Sequence, residues 1–189
     1  RMSFNSLLPS NLEINLQKKI TNYWLDELKI KPFYHDKIEF EITDNCFYFG
    51  LNKKINLKYK FLNKIEKNKF YFSLKKLTNN ILLKYSSDFK KMNNDILKLE
   101  NYRTKIINEY LNNKKSEILY SKKLLDKCKK LGLVPFAMQA RNAFISKKIL
   151  NSLIDCQIIN KSTYFKILSK LQTVSHDYIK EKKNLKKEI

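Results

Sequence analysis

Apolar positions near the start of the chain recur with the period of a helix. Leu12, Leu16, Ile20, Tyr23, Trp24 and Leu28 fall three or four residues apart, which lines them along one face. Ser10 followed by Glu13 fits a capping box at the entry, and Lys31-Pro32 marks the exit, because helical backbone is disfavoured before proline. The next stretch, DKIEFEIT, changes period. Ile38, Phe40 and Ile42 alternate with Lys37, Glu39, Glu41 and Thr43, the pattern of a half-buried strand. NCFYFGL is the natural partner strand, with Asp44-Asn45 at the turn, so a small β-hairpin is expected near residues 37–51.

From about residue 69 the helical period returns. Leu74, Leu77, Ile81, Tyr85, Met92, Ile96, Leu99, Ile106 and Tyr110 mark long helices, which either bend at Ser86-Ser87-Asp88 or run through it. A further helix over 116–131 is expected to stop at Gly132 as a C′ glycine, with Pro135 at the first helical position of the next. A last helix starts near Ser162 and runs into a lysine-rich end over 178–189. The expected fold is mainly α, of the α+β class: a bundle of about five helices, some long, with one small hairpin. It reads as a single domain over 1–189. Only two glycines and three prolines support few, long elements.

The formal net charge of +21 raises the possibility of a basic helical nucleic-acid-binding module. The lysines, however, are spread over almost every segment, with asparagine and isoleucine enriched beside them, as an AT-rich coding bias would produce. Nucleic acid is therefore not the expected partner. Arginine is the informative cation. Arg1, Arg103 and Arg141 are the only arginines among 39 basic residues, and a planar fork does what lysine cannot. Cys46, Cys128 and Cys156 form no metal or disulfide pattern, and His35 and His176 make no zinc motif. No apolar run is long enough to span a membrane, so a cytoplasmic location is expected.

Two places could carry binding chemistry. In GLVPFAMQARNAFISKKIL, helical spacing puts Arg141 and Lys148 on one side with Ala137, Phe144 and Ile145, and Gln139, Asn142 and Ser146 on the opposite side. Arg141 either grips a carboxylate or phosphate bidentately or is a buried charge paired with a neighbouring helix. The second place is HDKIEFEITDN, where His35, Asp36, Glu39, Glu41 and Asp44 concentrate acidic charge in a basic chain. These carboxylates either hold an ammonium group or a hydrated divalent ion, or form a solvated strand face. No glycine-rich phosphate loop and no GxSxG elbow exists, and no catalytic set is visible.

The stretch after Leu131 also resembles a known family. Gly132, Pro135, Phe136, Ala137, Ala140, Arg141, Ala143, Phe144 and Ile145 fit the pattern G-x-x-P-F-A-x-x-A-R-x-A-F-I, and Thr173, Val174 and Ser175 fit a following T-V-[SA] triplet. RMSFNSLLPSNL and HDKIEFEITDNC resemble that family's opening, and LTNNIL near residue 80 is compatible. The family is that of phosphotransferases similar to phosphoenolpyruvate synthase and pyruvate phosphate dikinase, the nearest members being bacterial capsule L-glutamine kinases. The likeness runs from about residue 1 to 177 and is strong in three islands.

The resemblance implies that the chain is the middle, acceptor-binding part of a larger multidomain enzyme, consistent with an opening at Arg1. Its implied partners are a nucleotide-binding domain, which holds ATP and Mg2+ outside this chain, and a phosphohistidine domain. The whole enzyme would pass the β-phosphoryl of ATP through phosphohistidine to L-glutamine, releasing AMP and phosphate, in capsular polysaccharide modification. No catalytic residue is expected in this part, and His176 does not fit a phosphohistidine motif. Implied acceptor-binding residues are Arg141, Lys148, Glu39, Glu41, His35 and Asp36. A structural linker between the other domains is the alternative role.

Overall fold

A computed structural model describes Phe4, residues 7–113 and residues 116–171. Arg1, the Thr173–Ser175 triplet, His176 and the lysine-rich 178–189 lie outside the described residues. Helix α1, Ile14–Ile30, carries Leu16, Ile20 and Trp24 on its buried face. A 3-10 helix, Pro32–Lys37, and a π-helical turn, Ile38–Ile42, follow. Then come α2, Leu51–Lys58, and the 50-residue α3, Lys64–Asn113, which passes Ser86–Asp88 without a break. Helices α4, Glu117–Leu131, α5, Leu133–Asp155, and α6, Lys161–Ser169, complete the described chain. The fold is mainly helical, as the spacing predicts.

No hairpin forms: there is no strand among the described residues. Two facts account for this. In the π turn, the Thr43 amide donates to the Ile38 carbonyl at 3.0 Å, so Ile38 and Ile42 come round to the same side and face the core. Strict alternation over five residues satisfies a π turn as well as a strand. The intended partner strand also gives its backbone donors elsewhere. Phe47 N–H donates to Thr78 Oγ1 on α3 at 2.8 Å, and Phe49 N–H to Ser152 Oγ on α5 at 3.1 Å. Residues 43–49 are thus a strap tied to two helices by hydroxyl groups.

The capping box is not formed either. Glu13 occupies the N-cap position without a side-chain cap bond, and its carboxylate takes Lys69 Nζ at 2.6 Å instead. Among the described residues two helices have their first turn closed by side chains: at α3 Asn63 Oδ1 accepts from Glu66 N–H at 2.9 Å and Glu66 Oε2 accepts from Asn63 N–H at 3.0 Å, and at α6 Asn160 accepts from Thr163 N–H at 2.8 Å. Gly132 is not a left-handed C′ residue: its φ of −107° and ψ of −54° carry the chain directly from α4 into α5. A Cβ there would lie 2.9 Å from the Cys128 carbonyl oxygen and 3.2 Å from Leu99 Cδ2, so a bare backbone lets this junction press against α3. Pro135 is the third residue of α5, where its missing N–H still has no helical acceptor to lose.

The main core lies where α1, α2, the π turn and the start of α3 meet. Trp24, Ile20, Leu51, Ile55, Tyr59, Phe70 and Leu74 are all fully buried there. Each such side chain contributes about 1.5–3 kcal/mol of transfer free energy. Helix α3 also packs on α4 and α5, and α5 touches α6 and the π turn. Gly50 sits at φ +82° just before α2 with nothing within 4 Å of a would-be Cβ. Gly50→Ala is therefore expected to cost about 1 kcal/mol in a urea titration, through backbone conformation alone. An unchanged midpoint would show that the turn relaxes.

Candidate functional site

The strap of residues 43–49 ends up buried with its charge inside. Asp44, placed by its sequence at a hairpin turn, has 0 % of its side chain exposed. Its carboxylate accepts from the Tyr48 hydroxyl at 2.9 Å on Oδ1 and from the Tyr59 hydroxyl at 2.8 Å on Oδ2. Lys54 and Lys58, one turn apart on α2, bring their ammonium groups to Oδ1 and Oδ2, each at 3.0 Å. Trp24 Nε1–H donates to the Tyr59 oxygen at 2.9 Å and so joins the core to this cluster. Burial pushes the Asp44 carboxyl up, but Lys58, Lys54 and Lys148 together outweigh it and hold it well below the usual carboxylate range. Burial and Asp44 push the Tyr48 and Tyr59 phenols far up, which keeps both as protonated donors.

Two clefts open on either side of the strap, and they divide the sequence-predicted residues. The first, of about 430 Å³, lies between the π turn, the strap and the front of α5. Arg141 and Glu39 both line it, with Asn45, Cys46 and an apolar wall that includes Ala137, Met138 and Phe144. Arg141 and Glu39 are half-buried. Burial raises the Cys46 thiol, and the Lys148 ammonium and Arg141 guanidinium pull it back. Arg141 also makes a contact within the protein. Its guanidinium has five donors, so such a contact does not exhaust it.

The second cleft, of about 500 Å³, is lined by Asp36, Lys37, Phe40, Glu41, Tyr48, Lys54, Lys147, Lys148, Asn151, Ser152 and Asp155. Arg141 and Lys148 therefore line different clefts, although helical spacing puts them on one side of α5. Lys148 Nζ crosses to the strap and donates to the Thr43 carbonyl at 2.9 Å and to Asn45 Oδ1 at 3.1 Å. Burial pushes its ammonium down from the usual lysine range, against the pull of Asp44. Lys147 stands over the Phe40 ring at 4.5 Å, and Phe40 meets Phe144 edge-on at 4.9 Å. His35 lies 3.3 Å from the Asp36 carboxylate on the exposed 3-10 helix and lines neither cleft. Gln139, Asn142 and Ser146 face a separate groove towards Tyr85 and Tyr164.

No protein-family model, curated protein or solved structure matches the chain. The site is therefore read from its own geometry. Asn45, Cys46, Tyr48, Lys54 and Lys147 are lining residues that sequence reasoning passed over. The one available signal was Lys54 and Lys58 at helical i,i+4 spacing, which places two cations on one face of α2. Among the described residues no group of three His, Cys, Asp or Glu side chains is placed to hold a metal ion. Among them, too, no helix is long and apolar enough to cross a membrane.

Proposed function

We propose that this chain is the acceptor-binding part of an ATP-dependent phosphotransferase, and that the Arg141–Glu39 cleft takes a small amino acid, L-glutamine in the first instance. One observation carries the reading. Two segments about a hundred residues apart in sequence, each matching an island of the family resemblance, supply opposite charges to one mostly apolar cleft. A zwitterionic guest needs that pair. Its carboxylate suits the planar fork of Arg141, its ammonium suits Glu39, and Asn45 offers an amide for a polar side chain. The apolar wall thins the water around these contacts and strengthens them.

In this role the chain contributes positioning, not proton transfer. It presents the acceptor amide to a phosphohistidine carried by another domain, and ATP with Mg2+ belongs to a third. Holding the acceptor in one orientation turns a bimolecular encounter into an intramolecular one. The nucleic-acid reading has no comparable feature in its favour: the clefts mix both signs of charge.

Isothermal titration with L-glutamine tests this. Arg141→Ala is expected to weaken binding by about 2 kcal/mol, roughly thirtyfold, as loss of charge-assisted hydrogen bonds does. Glu39→Gln should weaken it too, while Lys91→Met on the far part of α3 should not. Equal binding by the Arg141 variant and the unaltered chain, or no binding by either, would remove the acceptor from this cleft.

A further inference from the structure

We propose that the second cleft, on the Lys148 side of the strap, is an anion site that takes a phosphate dianion, free or as the end group of a small molecule. This does not rest on the acceptor reading, which concerns the other cleft. The case begins with a charge imbalance. Lys54, Lys58 and Lys148 converge on the strap, and among the described residues Asp44 is the one carboxylate bonded within this group. Lys148 is held by neutral oxygens alone among its hydrogen-bond partners, the Thr43 carbonyl and the Asn45 amide. The cluster thus has ammonium groups in excess, with those of Lys58 and Lys148 largely removed from water. Burial of unbalanced charge is costly, and a bound anion is the usual remedy.

Access supports the same conclusion. Lys54 and Lys148 form the inner wall of the cleft with the Tyr48 ring and the buried Ser152, and Lys147 and Lys37 stand further out. The other charges facing this space are Asp36, Glu41 and Asp155, all exposed. Glu27, which Lys58 feels through space, is already engaged by Lys31 at 2.9 Å. The cleft therefore runs from a cationic inner wall to a rim of mixed charge, where Asp36, Glu41 and Asp155 stand beside Lys37 and Lys147. A compact dianion fits the inside, whereas the three rim carboxylates disfavour a long polyanion such as nucleic acid. A small molecule with a phosphoryl group at one end and an ammonium at the other would satisfy both ends.

Titration of the chain with inorganic phosphate tests the site, in about 0.15 M salt so that scattered surface lysines are screened. A pH near 8 keeps inorganic phosphate mostly dianionic. Lys148→Met is expected to weaken binding about tenfold or more, and Lys147→Met several-fold, as lost charge-assisted contacts do. Lys91→Met, an exposed lysine of α3 lining neither cleft, should bind as the unaltered chain does. Acetate should bind far more weakly than phosphate. Should Lys148→Met fail to fold, the exposed Lys147 variant decides. O-Phosphoserine binding tighter than phosphate assigns the site to a zwitterionic phosphorylated molecule; the reverse order assigns it to free phosphate. Equal losses in the Lys147 and Lys91 variants, or no saturable phosphate binding at all, would overturn the proposal.

Discussion

Asp44→Ala is expected to lower the stability of the chain by about 3–5 kcal/mol, the usual cost of stripping one partner from a buried ion pair. The carboxylate accepts two tyrosine hydroxyls and two ammonium groups and has no exposed surface. Without it Lys58, only 15 % exposed, keeps the Ile42 carbonyl at 2.6 Å but loses its counter-charge. The Tyr48 and Tyr59 hydroxyls lose their acceptor at the same time, and the tie through Tyr59 to Trp24 loosens. Lys54→Met is the instructive contrast. Its side chain is 43 % exposed, so solvent already screens it and the loss should stay near 1 kcal/mol or below. Chemical denaturation of the three proteins would separate these cases. A cost near 1 kcal/mol for Asp44→Ala would mean that water enters and the strap is not held by charge.

The same group sets a pH dependence. Its folded-state pKa lies below the unfolded value of about 3.9, so the unfolded chain binds the proton more readily. The stabilisation is therefore complete above that unfolded value and is lost as pH falls from there through the folded one. Melting temperature should drop on acidification below about pH 4. Asp44→Asn should lack this part of the drop, since an amide does not titrate. The difference between the two curves is the observable, because Glu66 and Glu100 are also held low by Lys19 and Arg103 and add their own slope.

What the sequence reveals and conceals follows from the range of each interaction. Helices α1, α3, α4 and α5 are legible because apolar residues recur every three or four positions within one element, whether or not each is buried. The strap is not, since its backbone partners Thr78 and Ser152 lie 31 and 103 residues away. Nothing local tells Phe47 and Phe49 to donate to hydroxyls and not to a strand. Asp44 was misplaced for a related reason. Asp-Asn favours turns in isolation, and only the lysines of α2 and the two tyrosines make a buried carboxylate affordable there. Arg103 makes a forked pair with Glu100 on the exposed side of α3, and Arg141 lines the same cleft as Glu39. Lys148 was legible as a cation in an apolar frame, yet its long side chain crosses to the strap, and spacing on a helix cannot show that.

Amide exchange along α3 is expected to be slowest in its first four turns and faster by about two orders of magnitude or more beyond Leu82. Between residues 64 and 78, Phe70, Ser73, Leu74 and Thr78 are buried in the core shared with α1 and α2. From residue 79 to 112, Met92 and Ile106 are the only buried side chains, and α4 adds Tyr120. The ion pairs of that stretch, such as Lys98–Asp95 at 3.8 Å and Lys105–Glu109 at 3.9 Å, are local and exposed, so they contribute little. The outer half of α3 with α4 should then open without the core. Native-state exchange followed by mass spectrometry would show this gradient, and Asp44→Ala should erode protection in the first turns while leaving the outer half nearly as it was. Uniform protection from Lys64 to Leu111 would mean that the long helix and the core unfold as one unit. In that event the clefts beside the strap would share their stability with the whole helical arm.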